Sequence, residues 1–469
     1  MSAPEHGRGH PSLEALASIN DDGSRNFIYP ADVSGRFTTL RTITGWVLIG
    51  VYALLPWVPI NGNPAVLLDV TRGQYHFFGL TFVSQDVWLA FFLLSGAGFA
   101  LFFATALWGR VWCGWACPQT VFLEHIYRRI ERWIEGDALA RRRLAAAPWT
   151  PRKAALRAVK WLVFLVISLA ITHIFLSYFI PLPELFQMVR SSPARHWGLF
   201  VFAAITTGTV LFNFAWFREQ FCIILCPYGR LQSALVDDDS VVIGYDARRG
   251  EPRGRVGSAG AGDCIDCQRC VHVCPTGIDI RQGLQMECVS CSNCIDACDA
   301  IMRKVGRAVG LIRYDSVNAL MGRPTRIMRP RIVLYIAFAA VGMIGALIAF
   351  SGIRSTTVSA LRMTGAPFYV ADGMVRNQFL IRIVNKENRA RTFSVTATAA
   401  GQSMRQSGLD KPVAIEPLDE NLEPLILSVP QGEFRGGFQV EIVIRDTTGR
   451  FQATKKLPFL GPGPAGTSR

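Results

Sequence analysis

The sequence predicts a multi-domain membrane protein that combines α-helical transmembrane spans, a cysteine-rich domain and an all-β domain at the C-terminus. Three observations predict this class. Hydrophobic residues make up 50% of the 469 residues and are concentrated in long apolar runs. Eight of the twelve cysteines fall between residues 264 and 298, and apolar and polar side chains alternate after residue 378. A chain this long and apolar is expected to form several domains around more than one core.

Five apolar runs are long enough to cross a bilayer as α-helices. They cover residues 43–60, 87–108, 161–180, 197–217 and 332–353. Each approaches the ~20 residues that a hydrocarbon core of about 30 Å requires. The first run is the weakest, because Pro56 and Pro59 shorten the usable helix. We expect no cleavable secretory signal, since a polar segment precedes the first apolar run.

The distribution of Lys and Arg predicts the orientation of the spans, because cytoplasmic connections carry the excess of positive charge. Residues 109–160 contain eleven Lys and Arg and residues 218–331 contain sixteen, whereas 61–86 contain one and 181–196 contain two. The formal charge of +14 is explained by these helix flanks, which argues against nucleic acid as a partner. Residues 109–160 and 218–331 are therefore expected in the cytoplasm.

This orientation divides the chain into five expected parts. They are a cytoplasmic N-terminal tail (1–40), a four-helix transmembrane region (41–220), a cytoplasmic cysteine-rich domain (221–330), a fifth transmembrane helix (331–353) and a periplasmic domain (354–469). All twelve cysteines lie in or beside the two cytoplasmic connections. Because disulfides persist in oxidising compartments, cysteines confined to the reducing side favour metal ligation.

The cysteine-rich domain contains the spacing C-x2-C-x2-C-x3-C twice, in "CIDCQRCVHVCP" (264–275) and "CVSCSNCIDAC" (288–298). Three thiolates of each run can hold three corners of a cubic 4Fe–4S cluster, while the fourth reaches the other cluster. The predicted ligand sets are Cys264, Cys267, Cys270 and Cys298 for one cluster, and Cys274, Cys288, Cys291 and Cys294 for the other. This pattern predicts a two-cluster domain like that of bacterial ferredoxins, which relays single electrons.

Structural zinc sites are the alternative, but zinc ribbons use two C-x2-C pairs without an evenly stepped third cysteine. One departure from the iron–sulfur pattern is visible. Asp299 stands where the second run would usually carry proline. We expect this to weaken the local turn and not the ligation.

The other four cysteines form a second internal pair of motifs, "WCGWACPQT" (112–120) and "FCIILCPYGR" (221–230). Each is C-x3-C-P at the cytoplasmic end of a predicted span. A separation of four residues puts both sulfurs on one helix face, and the following proline ends or bends the helix. Cys113, Cys117, Cys222 and Cys226 are therefore candidates for a redox or copper site. The alternative is a set of buried structural thiols.

The C-terminal domain alternates apolar and polar residues in "FLIRIVNK" (379–386), "TFSVTATA" (392–399) and "FQVEIVIRD" (438–446). Short strands separated by turn-rich stretches predict a β-sandwich, with an immunoglobulin-like fold over residues 360–462. The domain contains no cysteine and no visible catalytic constellation. We therefore expect it to dock a partner or act as a spacer.

The order of these motifs, "CGWACP", "CIILCP", two ferredoxin runs and a final span before a β domain, resembles the cytochrome c oxidase accessory protein family CcoG, also called FixG or RdxA. The resemblance covers nearly the whole chain. It implies a polyferredoxin-like protein of the bacterial inner membrane that assists assembly of a cbb3-type haem–copper oxidase. Such a protein would reduce Cu(II) to Cu(I) for insertion, with the twelve cysteines as its functional residues.

The same resemblance implies partners and leaves two other functions open. The implied partners are oxidase subunits or copper-delivery proteins, together with an unidentified cytoplasmic electron donor. The protein is alternatively an assembly scaffold whose clusters are structural, or a generic membrane ferredoxin of a respiratory chain.

Overall fold

The computed structural model describes residues 27–83, 86, 88–351, 355–387, 389–399 and 402–462. The expectations for residues 1–26 of the tail, for residues 87 and 352–353 at the ends of two spans, and for residues 463–469 lie outside this part. The chain divides into two compact units, one within Met1–Val58 and Leu89–Ala346 and the other within Pro59–Trp88 and Leu347–Arg469.

Helices dominate the first unit. They are α1 (Arg36–Leu54), α2 (Trp88–Trp108), α3 (Val111–Trp115), α4 (Pro118–Phe122), α5 (Arg128–Glu135), α6 (Ala138–Ala146), α7 (Pro151–Leu176), α8 (Leu182–Arg190), α9 (Trp197–Phe212), α10 (Pro227–Leu235), α11 (Ala247–Gly250), α12 (Arg269–His272), α13 (Asn293–Lys304), α14 (Val317–Leu320) and α15 (Pro330–Ser351). Short 3₁₀ turns lie at Leu55–Trp57, Pro193–His196 and Ile280–Gln282, and π-helical turns at Leu123–Tyr127, Asn213–Phe217 and Phe221–Leu225.

Five helices of the described part, α1, α2, α7, α9 and α15, are long and apolar enough to cross a membrane. The predicted class of five transmembrane helices is therefore confirmed. The first helix begins at Arg36, seven residues before the apolar run. Its extra turns carry polar side chains whose partners lie in the cysteine-rich domain. The backbone N–H of Thr38 donates to Asp296 (2.7 Å), and Arg41 donates to Asn293 (2.8 Å).

The third transmembrane helix also begins earlier than its apolar run, at Pro151. Thr150 caps this helix by accepting a hydrogen bond from the backbone N–H of Lys153 (3.2 Å), and proline suits the first helical position. Lys160, near the end of the added turns, is buried and forms an ion pair with Glu135 (2.9 Å). A buried lysine is tolerated here because a buried carboxylate neutralises it.

The second and fifth apolar helices, α2 and α15, approach closely at a pair of glycines. A Cβ atom added to Gly342 would lie 2.6 Å from the Cα of Gly96, and one added to Gly96 would lie 3.2 Å from the carbonyl carbon of Gly342. Small residues permit such close backbone contact between helices in membranes. The sequence "GAGFA" therefore contributes one essential glycine, Gly96, and one that meets no neighbour, Gly98.

We expect Gly96→Leu to destabilise the chain by about 1–3 kcal/mol, because the added side chain forces α2 and α15 apart. Gly98→Leu is the matched control two residues away, since its Cβ would meet nothing within 4 Å. The measurement is the thermal unfolding midpoint of the detergent-solubilised full chain. Equal losses in the two variants would show that this helix contact does not stabilise the fold.

The cysteine-rich part of the first unit packs around one small sheet. Strand β6 (Val241–Tyr245) pairs antiparallel with β7 (Ile312–Ser316). Ile243, Met302 and Leu311 are almost completely buried in a core that also contains Cys264 and Cys270. The sheet and helices α12 and α13 therefore surround the two cysteine runs.

The two cysteine runs end differently, and proline is the reason. The helix of the first run, α12, stops at His272, before the Cys274–Pro275 pair. The helix of the second run, α13, continues through Cys298 to Lys304. Because Asp299 replaces proline, its backbone stays helical, and its carboxylate accepts a hydrogen bond from the Gly310 N–H (2.8 Å). The expectation of a weakened turn is wrong, since the helix simply runs on.

Strands dominate the second unit. They are β1 (Pro59–Ile60), β2 (Asn63–Pro64), β3 (Val66–Asp69), β4 (Gln74–Phe77), β5 (Leu80–Val83), β8 (Thr356–Arg362), β9 (Tyr369–Ala371), β10 (Met374–Asn385), β11 (Arg391–Thr398), β12 (Arg405–Ser407), β13 (Val413–Ile415), β14 (Glu420–Pro430), β15 (Phe438–Asp446) and β16 (Gln452–Phe459). One sheet has the order β12-β14-β10-β8, with β9 beside β10, and the facing sheet has the order β13-β11-β15-β16.

The two larger sheets form the immunoglobulin-like sandwich that the alternating pattern predicts. Their strand pairs are antiparallel. Phe379, Phe393 and Phe459 are completely buried between the sheets. The sequence did not predict the three-stranded sheet β3-β4-β5, which belongs to the same compact unit. Asp86, just after this sheet, forms an ion pair with the buried Lys386.

Candidate metal centres

The first cavity of the cysteine-rich part is lined by cysteines from both runs. These are Cys264, Cys267, Cys270 and Cys298. Arg281 also lines this cavity, and its guanidinium group forms ion pairs with Asp279 (2.7 Å) and Asp266. These two carboxylates offset the positive charge that Arg281 brings to the cavity.

The second cavity is lined by the other four cysteines of the two runs. These are Cys274, Cys288, Cys291 and Cys294. Pro275 and Ile280 close its apolar side, and Cys270 borders this cavity as well as the first. The two cavities are therefore adjacent. Cys298 of the second run lines the first cavity, and Cys274 of the first run lines the second, with Cys270 shared between them.

A repeated backbone conformation shapes both cysteine loops. Asp266 and Gln268 alternate with cysteines in the first loop and have φ of 51° and 52°. Ser290 and Ser292 occupy the equivalent positions of the second loop, with φ of 53° and 64°. Residues in this left-handed region turn consecutive N–H groups towards one side, which forms a concave site for an anion. The loops therefore fit a negatively charged thiolate cluster.

Burial keeps most of these thiols protonated when no metal is bound. It raises the pKa of Cys270 and Cys288 to about 11 and that of Cys291 and Cys298 to about 12. Burial also raises the pKa of Cys294 well above its usual range. A bound metal centre therefore has to supply enough positive charge to displace the thiol protons, as iron does.

The spacing of the cysteines favours a cluster over a zinc ion. Each loop carries an evenly stepped third cysteine, which zinc ribbons lack. Each thiolate of an iron–sulfur cube binds a different iron atom, so three stepped cysteines and a fourth from the other run can hold one cube. Both cavities therefore fit a cluster better than zinc.

The two C-x3-C-P motifs have the same local structure. Cys117 and Cys226 are in extended conformation immediately before a helix, and the following proline is the first helical residue. The N–H of Cys117 donates to Trp112 O (2.9 Å), and that of Cys226 donates to Phe221 O (2.8 Å). The prediction that both cysteines share one helix with the proline behind them is therefore wrong. The helix ends before the second cysteine, because proline begins the next one.

The structure places the four cysteines of these motifs near one another. Burial raises the pKa of Cys222, and Cys117, Cys113 and Cys226 lie near enough to raise this pKa further. Burial raises the pKa of Cys113 to about 11 and that of Cys222 to about 12. The completely buried Gln232 donates a hydrogen bond to the sulfur of Cys113 (3.4 Å). These four thiols therefore share one partly apolar site that already contains a hydrogen-bond donor for sulfur.

The first C-x3-C-P motif packs directly against the second cysteine loop. A Cβ atom on Gly114 would lie 2.5 Å from Val289 O and 2.6 Å from Ser290 O, so only glycine fits there. The indole N–H of Trp115 donates to the hydroxyl of Tyr314 (3.2 Å), and Tyr314 donates to Ser290 O (2.9 Å). The motif is therefore fixed to the loop that carries Cys288 and Cys291.

Arg110 forms a second connection between these sites. Its guanidinium group donates to Met286 O, two residues before Cys288, and to Gly229 O in the second C-x3-C-P segment. Its positive charge lowers the pKa of Cys113, Cys222 and Cys288, against the larger effect of burial. The sequence reasoning missed Arg110, Gln232 and Tyr314, although Arg110 lies only three residues before Cys113.

Known domain families match three parts of the chain. Residues 89–137 match a 4Fe-4S binding domain, residues 217–317 match a 4Fe-4S dicluster domain, and residues 346–462 match an IG-like fold at the C-terminal of FixG. Five apolar helices join these parts. The fold and the cysteine-lined cavities together define a membrane-bound iron–sulfur protein of the electron-transfer class.

Curated relatives match most of the chain. Protein RdxA of Cereibacter sphaeroides is 38% identical over 87% of this chain and 90% of its own length. Nitrogen fixation protein FixG of Rhizobium meliloti is 32% identical over 94% of each chain. A crystal structure of a FixG-related protein from Vibrio parahaemolyticus matches 23% of this chain and 97% of that chain, at 16% identity and a TM-score of 0.21. The chain belongs to the RdxA and FixG family.

Proposed function

We propose that this protein is an oxidoreductase of the bacterial inner membrane that delivers single electrons to Cu(II) for assembly of a cbb3-type oxidase. Cys264, Cys267, Cys270 and Cys298 would hold one 4Fe–4S cluster, and Cys274, Cys288, Cys291 and Cys294 the other. Each cluster, when bound, supplies reversible one-electron chemistry. The grouping of these cysteines around two adjacent cavities supports this assignment.

The contact between the first C-x3-C-P motif and the second cysteine loop carries the proposal. Gly114 brings the backbone of that motif against Val289 and Ser290, and Tyr314 joins the two segments by hydrogen bonds. Such a short protein path suits electron delivery from one cysteine site to the other. Cys113, Cys117, Cys222 and Cys226 would then meet the copper substrate.

Thiolates are suitable ligands for this reaction because they prefer Cu(I) to harder cations. Cu(II) gains one electron and becomes Cu(I), and a one-electron donor on the cytoplasmic side loses that electron. The four thiols lie at the ends of transmembrane helices α2 and α9, where a reduced ion can be passed to a membrane partner. Oxidase subunits or copper-delivery proteins are the proposed recipients.

Anaerobically reduced full-length protein, freed of excess reductant, is expected to convert added Cu(II) to Cu(I). The yield should approach about two Cu(I) per chain, one for each bound cluster. A Cu(I)-specific chelator measures the product, and the same iron-loaded protein with its clusters oxidised is the control, because free thiols also reduce Cu(II). If the reduced protein forms no more Cu(I) than this control, the copper part of the proposal fails.

We also propose that the cysteines face the cytoplasm and the immunoglobulin-like domain faces the periplasm. The Lys and Arg excess in residues 109–160 and 218–331 supports the first point. The ion pair between Lys386 and Asp86 supports the second, because it joins this domain to the arginine-poor connection between α1 and α2. Alkaline phosphatase fused after residue 462 should be active, and fused after residue 323 inactive. The reverse result would invert the topology.

A further inference from the structure

A second type of site lies in the first unit, apart from the cysteines. A cavity of about 670 Å³, part of it open solvent, is bordered by helix α1, by the segment from Glu124 to Arg141 and by residues 30–33. Five arginines line it, against two carboxylates. The arginines are Arg41, Arg128, Arg129, Arg132 and Arg141, and the carboxylates are Asp32 and Glu124. Two carboxylates outside this lining also form ion pairs with the arginines, Glu219 with Arg128 (3.3 Å) and Glu131 with Arg141 (3.6 Å), so the five arginines exceed these four carboxylates by one positive charge.

Three of these arginines have buried donors without partners. The side chains of Arg41, Arg128 and Arg141 are 4%, 7% and 4% exposed. Among the described residues, the Nε atom of each is buried and forms no hydrogen bond. A buried donor without a partner is costly, so native proteins normally satisfy it. Each of these three guanidinium groups also forms an ion pair with a carboxylate, whereas Arg129 forms none among the described residues and leaves an unpaired positive charge at the cavity.

The terminal Nη atoms of these three guanidinium groups form hydrogen bonds with other parts of the first unit. Arg41 donates to Cys291 O (3.2 Å) and to Asn293, while Arg128 donates to Pro275 O (3.0 Å). Arg141 donates to Pro30 O (3.3 Å). These hydrogen bonds hold the three guanidinium groups in place beside the cavity. Two of them also contact the backbone of the cysteine runs.

The cavity lies at the membrane end of α1. Arg129 donates to Thr42 (3.4 Å), and its guanidinium group lies 5.9 Å from the ring of Trp46. Trp46 is 46% exposed on this transmembrane helix, and Trp133 is 82% exposed one turn beyond Arg129. Exposed tryptophans are enriched where a membrane meets water. Basic pockets at that level bind the head groups of anionic lipids.

We propose that this cavity binds a phosphate-bearing anion, and that the phosphodiester head group of an anionic phospholipid is its occupant. Arginine suits this ligand because its planar donors match phosphate oxygens in pairs. Inorganic phosphate carries the same chemistry and is the other source. The occupied cavity would connect the bilayer surface to the loops that carry Cys274 and Cys291.

The test uses the delipidated full chain in neutral detergent. Native mass spectrometry should show one phosphatidylglycerol retained per chain and no phosphatidylcholine. Arg129→Gln with Arg132→Gln should weaken this binding about tenfold, the effect expected for losing charged hydrogen-bond donors. Arg142→Gln with Arg143→Gln removes the same charge from exposed positions of α6 and should bind like the unmodified chain. Equal weakening in the two pairs would overturn the proposal.

A second comparison tests the geometry of the donors. Arg141→Lys keeps the charge but loses Nε, so it should weaken phosphatidylglycerol binding, whereas Arg142→Lys should not. In a separate arm, inorganic phosphate is added at constant ionic strength and thermal unfolding is followed. A shift with phosphate alone would support the anion site and replace lipid as its occupant. Retention of neither ligand would overturn the proposal.

Discussion

Replacing Cys298 with alanine is expected to remove the cluster of the first cysteine run, although Cys298 belongs to the second run. The reason is that Cys298 lines the first cavity, together with Cys264, Cys267 and Cys270. Iron content should fall from about eight to about four atoms per chain, since each cube holds four. One of the two reduced-cluster signals in electron paramagnetic resonance should disappear with it.

Cys274→Ala is the reciprocal variant and the control for this experiment. Cys274 belongs to the first run but lines the second cavity, so its loss should remove the other signal. The two variants therefore have to lose different signals. Cys298→Ala should lose the signal of the first cavity, and Cys274→Ala should lose that of the second. Cys264→Ala and Cys288→Ala identify which signal belongs to which cavity. If Cys298→Ala and Cys288→Ala lose the same signal, the crossed ligand assignment is wrong.

Combining Cys264→Ala with Cys288→Ala separates the electron-transfer function from the scaffold alternative. This protein should hold neither cluster, so that only its remaining thiols can reduce copper. If the protein is a scaffold, the cluster-free variant should still support oxidase assembly in cells. A variant that lacks the domain after residue 354 should not support it. Restoration of oxidase activity by the cluster-free chain would therefore favour the scaffold.

The sequence predicted the parts of the structure that depend on short-range patterns. The spacing of Cys264, Cys267 and Cys270 is sufficient to recognise a cluster loop, because three thiolates in one tight loop serve few other purposes. The alternation around Phe379 and Phe393 was sufficient to predict a sandwich, because each strand buries every second residue. Transmembrane helices were visible as apolar runs.

The remaining features depend on contacts between distant segments. The polar residues Thr38 and Arg41 lie just before the apolar run, so the run alone predicts a helix that begins after them. Their contacts with Asp296 and Asn293 explain why α1 begins earlier. Arg110 was one positive charge among many in a connection that is predicted to be cytoplasmic, and its contacts lie more than a hundred residues away. The sequence cannot distinguish such an arginine from one that only flanks a membrane helix.

The basic cavity was hidden for the same reason. Arg128 and Arg141 contributed to the charge count that predicted the orientation, and both are buried in the structure. The positive-inside pattern and a ligand site therefore use some of the same residues. A count of charges is enough for the first property, whereas the second requires the positions of the side chains.

Replacing Cys113 and Cys222 with serine is expected to stop copper reduction while leaving both clusters in place. Serine removes the soft ligand of the candidate copper site, and neither residue lines the two cluster cavities. Cu(I) formation should fall at least about tenfold, because even residues that only orient a metal ligand typically contribute roughly 10- to 100-fold to affinity. Iron content and both paramagnetic signals should match those of the unmodified chain.

Ala116→Ser is the matched control, since it adds a hydroxyl group to the same turn and keeps all four thiols. It should reduce copper at the rate of the unmodified chain. Iron content has to be compared as well, because the first C-x3-C-P motif also supports the second cysteine loop through Gly114 and Trp115. A structural disturbance would reduce the iron content, whereas loss of the copper site would not. Full copper reduction by the serine variant would mean that copper receives its electron elsewhere on the cysteine-rich domain.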